Sequence, residues 1–349
     1  MLMSFGRLVV DLNALSANYQ RFVEASAGLA GAVVKADAYG LGMEAVARRL
    51  RADGCEHFFV ATPEEGIALR SVIDEAVVYV FSGPPDHNTA AVFASANIVP
   101  VLNSLEQIGL WKRQKGAPAA LHVDTGMQRL GLDPKEVKST MLEGIDLVLL
   151  MSHLACADQP QHPQNERQAS AFKRVFEGFP GIETSFGNSA GTLNGSQYQG
   201  GITRPGIGLY GGNPYTDKAN NFHRVVVFET QVVQRRRVKA GESVGYGAKY
   251  VATRNTEIAI VGIGYADGVS RVHSGKRQLA HGGARLPVLG EIGMDLIHVD
   301  VTGYPDISVG DWLEVFGGVI TVDEMAEMSG TSAYEVLSRI GSRVSRVYV

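Results

Sequence analysis

A lysine stands at the carboxyl end of a short apolar run near the start of the chain. Residues 32–34 have the small and β-branched composition of a buried parallel strand, and Lys35 follows them directly. Gly40 and Gly42 then allow a tight turn, after which residues 43–50 have a helical pattern. The mouth of such a strand–turn–helix unit is where α/β folds place their chemistry. Because most lysines at strand ends only reach solvent, position alone favours the structural interpretation.

Other polar side chains stand at similar places. Arg129 and His153 each follow an apolar run. Taken alone, the arginine would be a surface ion-pair partner and the histidine a hydrogen-bonded packing residue. The glycine-containing turns 187–190 and 203–211 have more specific chemistry, since backbone N–H groups and a serine hydroxyl can cradle a phosphate.

The elements that must position these groups alternate in type between residues 8 and 203. The predicted strands are 8–12, 32–34, 58–60, 77–81, 98–101, 119–123, 147–152, 183–185 and 201–203, and the predicted helices are 43–50, 63–70, 88–95, 104–115 and 164–176, with one more ending near residue 23. Repeated β–α units favour a parallel sheet, and their number favours an α/β fold of the (β/α)8 TIM-barrel type, with a doubly wound sheet as the alternative. No G-x-G-x-x-G follows the first strand, which weakens that alternative.

The pattern changes at the polar stretch 213–221. Alternating runs downstream predict the antiparallel strands of a mostly β domain, at 225–233, 243–251, 257–263, 296–301, 312–316 and, after two short helices, 344–349. We therefore expect a barrel domain over residues 12–216 and a β domain over residues 217–349, with which residues 1–11 could pack.

The bulk composition predicts a soluble, cytoplasmic protein. Of its 349 residues 45% are hydrophobic and 19% charged, and the net charge of −4 implies no strong attraction to nucleic acid or to an anionic membrane. The two cysteines, Cys55 and Cys156, have no metal-like spacing and suit a reducing compartment, so no metal site is expected. We find no leader pattern and no run approaching the roughly 20 apolar residues that cross a bilayer.

The stretch around Lys35 resembles a known motif along its whole length. The sequence A-V-V-K-A-D-A-Y-G-L-G is similar to the lysine motif V-V-K-A-[ND]-A-Y-G-[HL]-G of the alanine racemases, which are pyridoxal-phosphate enzymes. The resemblance implies that Lys35 binds the cofactor covalently and that Tyr39 contacts its phosphate.

Further barrel motifs match the same family in the same order. H-V-D-T-G-M-Q-R-L-G resembles a stretch whose arginine contacts the cofactor and the substrate carboxylate, which implies that role for Arg129. Many racemases have a carbamylated lysine where this chain has His122, so we expect Arg129 to be held by a different partner: another anion such as chloride, or neutral His122. S-H-L-A implies that His153 supports a neighbouring arginine. N-S-A and T-R-P-G-I-G-L-Y-G imply phosphate contacts from Ser189, Gly206 and Ile207, with Arg204 at the pyridine nitrogen.

The β domain carries the remaining motifs. G-Y-G-A resembles the segment that holds the family's second catalytic base, which implies that role for Tyr246. G-Y-A-D-G and the looser match G-M-D imply that Tyr265, Met294 and Asp295 border the substrate. Tyr334 corresponds to a tyrosine that contacts the phosphate.

Together these motifs imply a two-base racemisation of alanine. Lys35 would serve the D face of Cα and Tyr246 the L face, because removal and return of a proton on opposite faces is most simply done by two bases. The family also implies a homodimer with shared active sites, and D-alanine supply for peptidoglycan or its breakdown. A broad-specificity racemase acting on serine, lysine or arginine remains an alternative, as do a pyridoxal-phosphate carrier and a decarboxylase on a similar barrel. Carriers lack the tyrosine-bearing β domain, and decarboxylases have an acidic residue where this chain has Arg204.

Overall fold

The strands of the structure, a computed structural model that describes residues 4–272 and 277–349, divide between two units. The first strand, β1 (Gly6–Val10), belongs to a unit made of residues 4–14 and Arg224–Val349. Leu15–His223 form the other unit. Each unit has its own sheet and its own buried apolar core.

Leu15–His223 contain a closed parallel barrel. Its strands are β2 (Leu29–Ala30), β3 (Ala32–Val33), β4 (His57–Val60), β5 (Val77–Val80), β6 (Ile98–Leu102), β7 (Pro118–His122), β8 (Asp146–Met151), β9 (Glu183–Ser185) and β10 (Ile202–Thr203). Strands β3 to β9 pair in sequence order, all parallel, and β10 pairs in parallel with β2. The backbone N–H of Arg204 donates to Gly187 O at 2.7 Å, which joins β10 to the end of β9. Since β2 and β3 are one strand interrupted at Gly31, eight strands close the barrel, and the predicted fold class is confirmed.

The helices of this unit follow the strands. They are α1 (Leu12–Ala25), most of which lies in this unit, α2 (Lys35–Tyr39), α3 (Met43–Ala52), α4 (Pro63–Arg70), α5 (His87–Ser95), α6 (Leu105–Trp111), α7 (Pro163–Phe176) and α8 (Ser189–Leu193). Several begin at a side-chain cap, and α4 has a full capping box between Thr62 and Glu65. Helix α6 ends before the predicted residue 115, where the Trp111 indole donates to Ala117 O at 3.2 Å.

Stacked aromatic rings fill one side of the barrel interior. The Phe59 ring lies 4.6 Å from that of Tyr79 and 5.6 Å from that of Phe81, and Phe59 and Tyr79 are register partners on β4 and β5. Because neighbouring parallel strands place paired residues at the same height, these rings form a layer of the core. That layer ends beneath Lys35, whose Nζ is 6.0 Å from the Phe81 ring centroid.

The second unit is built on antiparallel strands. After β1 they are β11 (Val226–Val238), β12 (Ser243–Val244), β13 (Tyr250–Val251), β14 (Thr256–Val261), β15 (Gln278–His281), β16 (Ala284–Leu289), β17 (Ile297–Asp300), β18 (Trp312–Phe316) and β19 (Ser345–Tyr348), with helices α9 (Val322–Met328) and α10 (Ala333–Ser338). The order β14-β17-β16-β15-β18-β11 closes on itself because β11 also pairs with β14 beyond an irregularity between Val232 and Gln234. Strand β1 pairs antiparallel with β11, and β19 lies parallel to β1.

Two features of this unit differ from the sequence-based expectation. The predicted strand 243–251 is a hairpin, because Gly245 and Gly247 have φ values of 74° and 67° and break the extended backbone between β12 and β13. The hairpin of β15 and β16 was not predicted, since neither strand has a clear apolar alternation. No helix in the described part of the chain has the length and apolar character needed to cross a bilayer.

Candidate active site

The carboxyl ends of the barrel strands bring several predicted residues to one edge. Lys35 follows β3, His153 follows β8 and Arg204 follows β10. Arg129 lies in the loop after β7. Because all eight strands run parallel, these positions share the end of the barrel at which TIM-barrel enzymes carry their active sites.

The backbone after Lys35 forms a left-handed turn. Ala36, Asp37, Ala38 and Tyr39 have φ values of 52°, 54°, 53° and 56°. Such a conformation costs an L-residue roughly 1–2 kcal/mol, so the turn needs support from its surroundings. Two carboxylates provide it: Glu65 Oε1 accepts from Ala36 N at 2.6 Å and Asp37 Oδ1 accepts from Met43 N at 2.7 Å. The sequence predicted a tight turn here but not its handedness.

The environment of the Lys35 amine favours its uncharged form. Burial beside the Phe81 ring is the main cause that lowers the pKa of Lys35, and the positive charge of Arg129 adds to it, while Glu65 acts in the opposite direction. A lowered pKa increases the fraction of free amine near neutral pH. That is the form that attacks a carbonyl or accepts a proton.

Arg204 is buried without a carboxylate partner among the described residues. Its side chain is 2% exposed and donates to Ser185 Oγ at 2.6 Å and to Ser152 O at 2.7 Å. Its Nη2 also lies 3.3 Å from His153 Nδ1. Since a guanidinium can only donate, that nitrogen of His153 must accept and the imidazole is neutral. Burial and the charge of Arg204 accordingly hold the pKa of His153 well below its ordinary value.

A cradle of backbone N–H groups lies beside β10. The hydroxyl of Ser189 accepts from Gly206 N at 2.8 Å and from Gly208 N at 3.3 Å, and Ile207 between them is buried. A Cβ on Gly206 would lie 2.5 Å from the Tyr39 hydroxyl, so this glycine leaves space that a larger residue would fill. A phosphate fits such a site, with N–H groups and two hydroxyls around it. With the Lys35 amine and the donor Arg204 on the same barrel edge, the residues present fit pyridoxal phosphate.

Among the described residues, the His122 side chain is hydrogen-bonded to Asn103. The His122 Nδ1 atom lies 2.9 Å from Asn103 Oδ1, and burial lowers the pKa of His122 to about 4. A neutral imidazole cannot supply the negative charge of a carbamate. The Arg129 side chain is exposed, and its guanidinium makes no hydrogen bond with any residue that the structure describes, so the expected holding partner is not found among them. Only its backbone N–H is anchored, at 3.3 Å from Asp124 Oδ2.

In the β domain, Tyr246 lies at the tip of the β12–β13 hairpin. Its side chain is 72% exposed, and it borders a pocket of about 410 Å³ together with Gly293, Met294 and Asp295. A Cβ on Gly293 would lie 3.6 Å from Tyr246 Cε2, so the phenol ring packs against this glycine.

The remaining β-domain candidates are Tyr265, Asp295 and Tyr334. Tyr265 N donates to Gly293 O at 3.0 Å, which places Tyr265 beside Met294. Asp295 Oδ1 accepts from Arg343 Nη1 at 2.8 Å, and the same arginine also donates two hydrogen bonds to the Asp267 carboxylate. Tyr334 lies on α10 and is 42% exposed.

Sequence reasoning missed three residues that organise these sites: Glu65, Asn103 and Arg343. Each acts through a contact with a residue distant along the chain, and polar residues of these types are common on surfaces. The capping-box pattern T-P-E-E gave the one local signal, for Glu65, but it predicts a helix start and not a contact with the lysine turn. In the described part of the chain no cluster of acidic, histidine and cysteine residues could hold a metal ion.

Comparisons with known proteins show which family the chain resembles. The family model "Alanine racemase, N-terminal domain" matches residues 10–214, and "Alanine racemase, C-terminal domain" matches residues 225–348. A catabolic alanine racemase of Rhizobium johnstonii is 42% identical, with 98% of this chain and 94% of that protein covered. A biosynthetic alanine racemase of Agrobacterium fabrum is also 42% identical, with 98% and 93% covered.

A solved structure extends the likeness to the fold. The alanine racemase of Bartonella henselae, whose crystal structure has covalently bound pyridoxal phosphate, is 36% identical and covers 99% of this chain and 100% of its own, with a TM-score of 0.93. The likeness in sequence and in fold therefore spans both units. This chain belongs to the alanine racemase family.

Proposed function

We propose that this protein is a pyridoxal-phosphate-dependent racemase that interconverts L-alanine and D-alanine. The observation that carries the proposal is the amine of Lys35, which lies at the barrel edge with a lowered pKa, on the same edge as a phosphate cradle and a buried arginine. An alanine racemase is an isomerase.

Six residues would hold the cofactor. Lys35 would bind its aldehyde carbon, and Tyr39, Ser189 and the N–H groups of Gly206 and Ile207 would surround its phosphate. Arg204 would donate a hydrogen bond to the ring nitrogen, and because arginine gives up no proton, that nitrogen would stay unprotonated. His153 acts beneath it by holding Arg204. When bound, the cofactor withdraws electrons from the substrate and acidifies its Cα–H bond.

Two side chains move the proton. The Lys35 amine accepts or returns it on the D face of Cα, and the phenol oxygen of Tyr246 does so on the L face. Proton transfer by one group on each face inverts the configuration without rotation of the substrate.

The substrate carboxylate is recognised by Arg129. The guanidinium is exposed on the loop after β7, and a planar fork of donors matches a carboxylate. Tyr265, Met294, Asp295 and Tyr334 would border the side-chain pocket, and a narrow pocket there selects the methyl group of alanine.

The protein acts as a homodimer with shared active sites in this proposal. Tyr246, Met294 and Leu296 are 72%, 51% and 46% exposed and form an apolar patch around the 410 Å³ pocket. Exposed patches of this kind mark interfaces, and the catalytic role of Tyr246 requires a barrel edge opposite it. The β domain of residues 217–349 then completes the barrel edge of a second copy. A role in D-alanine supply for peptidoglycan, in the cytoplasm, is part of the same proposal.

The experiment is a panel of L-amino acids incubated with purified protein and read by chiral chromatography. We expect racemisation of alanine at least about tenfold faster, as kcat/KM, than that of serine, lysine or arginine, since each extra group must enter a pocket fitted to a methyl. Equal rates across the panel would instead identify a broad-specificity racemase. Decarboxylated products, or no turnover with any amino acid, would overturn the proposal.

A further inference from the structure

The side chain of Glu65 forms hydrogen bonds to two separate segments, the turn after Lys35 and the end of β4. Its Oε1 accepts from Ala36 N at 2.6 Å, in the left-handed turn after Lys35. Its Oε2 accepts from Ala61 N at 2.7 Å and from Thr62 N at 3.3 Å, at the end of β4. One carboxylate therefore spans the lysine turn and the beginning of α4.

The lysine turn depends on contacts from outside itself. Four consecutive non-glycine residues with positive φ do not form a stable structure alone. Ala36 is exposed, so its N–H has no burial to protect it, and the Glu65 carboxylate is its acceptor. If that hydrogen bond were lost, the residue that directly follows Lys35 would relax toward a right-handed conformation and redirect the lysine side chain.

We propose that Glu65 is a positioning residue, which holds the left-handed turn after Lys35 and thereby fixes where the Lys35 amine points at the barrel edge. This inference rests on the proposed function in one respect only, which is the chemical role that the function gives to the Lys35 amine. The contact requires a carboxylate, because three N–H donors surround its two oxygens. An amide has a single acceptor oxygen, and its NH2 group would face an N–H donor.

The test is Glu65→Gln, with Glu64→Gln as the matched control. Glu64 is the neighbouring glutamate in the same first turn of α4, and in the described part of the chain its side chain makes no hydrogen bond with the lysine turn. The full-length protein, freed of cofactor with hydroxylamine and dialysed, is mixed with pyridoxal phosphate between pH 6 and 10. Borohydride then fixes the adduct on Lys35, and mass spectrometry follows its rate of formation.

Two changes are expected together in Glu65→Gln. The plateau rate at high pH falls by about tenfold or more, because the amine is misplaced. The midpoint of the pH profile moves to lower pH, because the Glu65 charge raises the pKa of Lys35. A general loss of stability would not move that midpoint. Glu64→Gln should keep both the rate and the midpoint of the wild type.

The outcomes separate the two proposals. If wild-type Lys35 forms no adduct, the proposed function fails; if it does and Glu65→Gln behaves as Glu64→Gln does, the role of Glu65 fails. Amide hydrogen exchange in the unaltered protein gives a second test that needs no variant. Protection of the Ala36 amide at the level of the β4 amides supports the proposal, and exchange at the rate of an open turn overturns it.

Discussion

The Nδ1 atom of His122 lies 2.9 Å from the side-chain oxygen of Asn103, and this contact fixes the protonation of the histidine. Asn103 Nδ2 donates to Phe81 O at 2.9 Å and to Val101 O at 2.8 Å, so its amide cannot be turned around. Its oxygen must therefore accept from Nδ1–H of His122. The pair places a neutral ring, with an unprotonated Nε2, where many racemases carry a negative charge.

Burial of neutral His122 makes stability depend on pH. Its pKa is about 4 when folded, against an ordinary value of 6.5, so the unfolded chain binds more protons between these values. The contribution, about 3 kcal/mol, is fully present above pH 6.5 and is lost as pH falls toward 4. Urea denaturation at several pH values should show a smaller loss over this window in His122→Gln than in the wild type. Parallel curves would mean that His122 is not buried in its neutral form.

The space at Gly206 predicts a strong effect of one methyl group. An added Cβ would lie 2.5 Å from the Tyr39 hydroxyl. Gly206→Ala should therefore weaken pyridoxal-phosphate binding about tenfold or more, measured by equilibrium dialysis. Gly109→Ala on α6 is the control, since a Cβ there meets nothing within 4 Å. Equal affinity in both variants would show that the phosphate lies elsewhere.

The fold was largely predictable from the sequence, whereas the residues that hold the site residues in place were not. Barrel strands such as β6 and β9 were placed within a residue, because a short apolar run between turn residues determines a buried strand locally. The residues matching family motifs were found by order and spacing. Three supporting contacts were not predicted: Glu65 to the left-handed turn at Ala36, Asn103 to His122, and Arg343 to Asp295. In each pair the two residues are many positions apart in the sequence. Such contacts exist only after each domain has folded, so no local pattern encodes them.

Arg343 clamps two acidic residues next to the pocket beside Tyr246. Its Nε and Nη2 each lie 2.9 Å from an oxygen of Asp267, and its Nη1 lies 2.8 Å from Asp295 Oδ1. A lysine cannot hold both carboxylates, so in Arg343→Lys the segment with Met294 should move and kcat/KM for alanine should fall about tenfold. Arg254→Lys, which alters the exposed pair with Asp300 at 3.0 Å, should change kcat/KM less than about twofold. Similar losses in both variants would contradict a specific role for Arg343.

Tyr246→Phe tests the assignment of the two faces. In D2O, Lys35 should still exchange the α-proton of D-alanine, because its amine removes the proton and returns deuterium to the same face. Formation of L-alanine should fall about 100-fold or more, since the L face lacks its acid. Proton NMR measures the exchange, and chiral chromatography measures the product. Tyr250→Phe, in the same hairpin, is the control and should keep both rates. An equal loss of exchange and of racemisation in Tyr246→Phe would refute the two-base assignment.

Mixing two inactive variants tests whether active sites are shared between subunits. Lys35→Ala and Tyr246→Phe should each be inactive alone. If each site combines Lys35 of one protomer with a phenol from the other, a mixed dimer has one intact site and one doubly altered site. Random reassociation makes half of the dimers mixed, so about a quarter of wild-type activity should return. Sites formed within one chain would give no recovery, and light scattering on the same samples establishes whether the mixed species is a dimer.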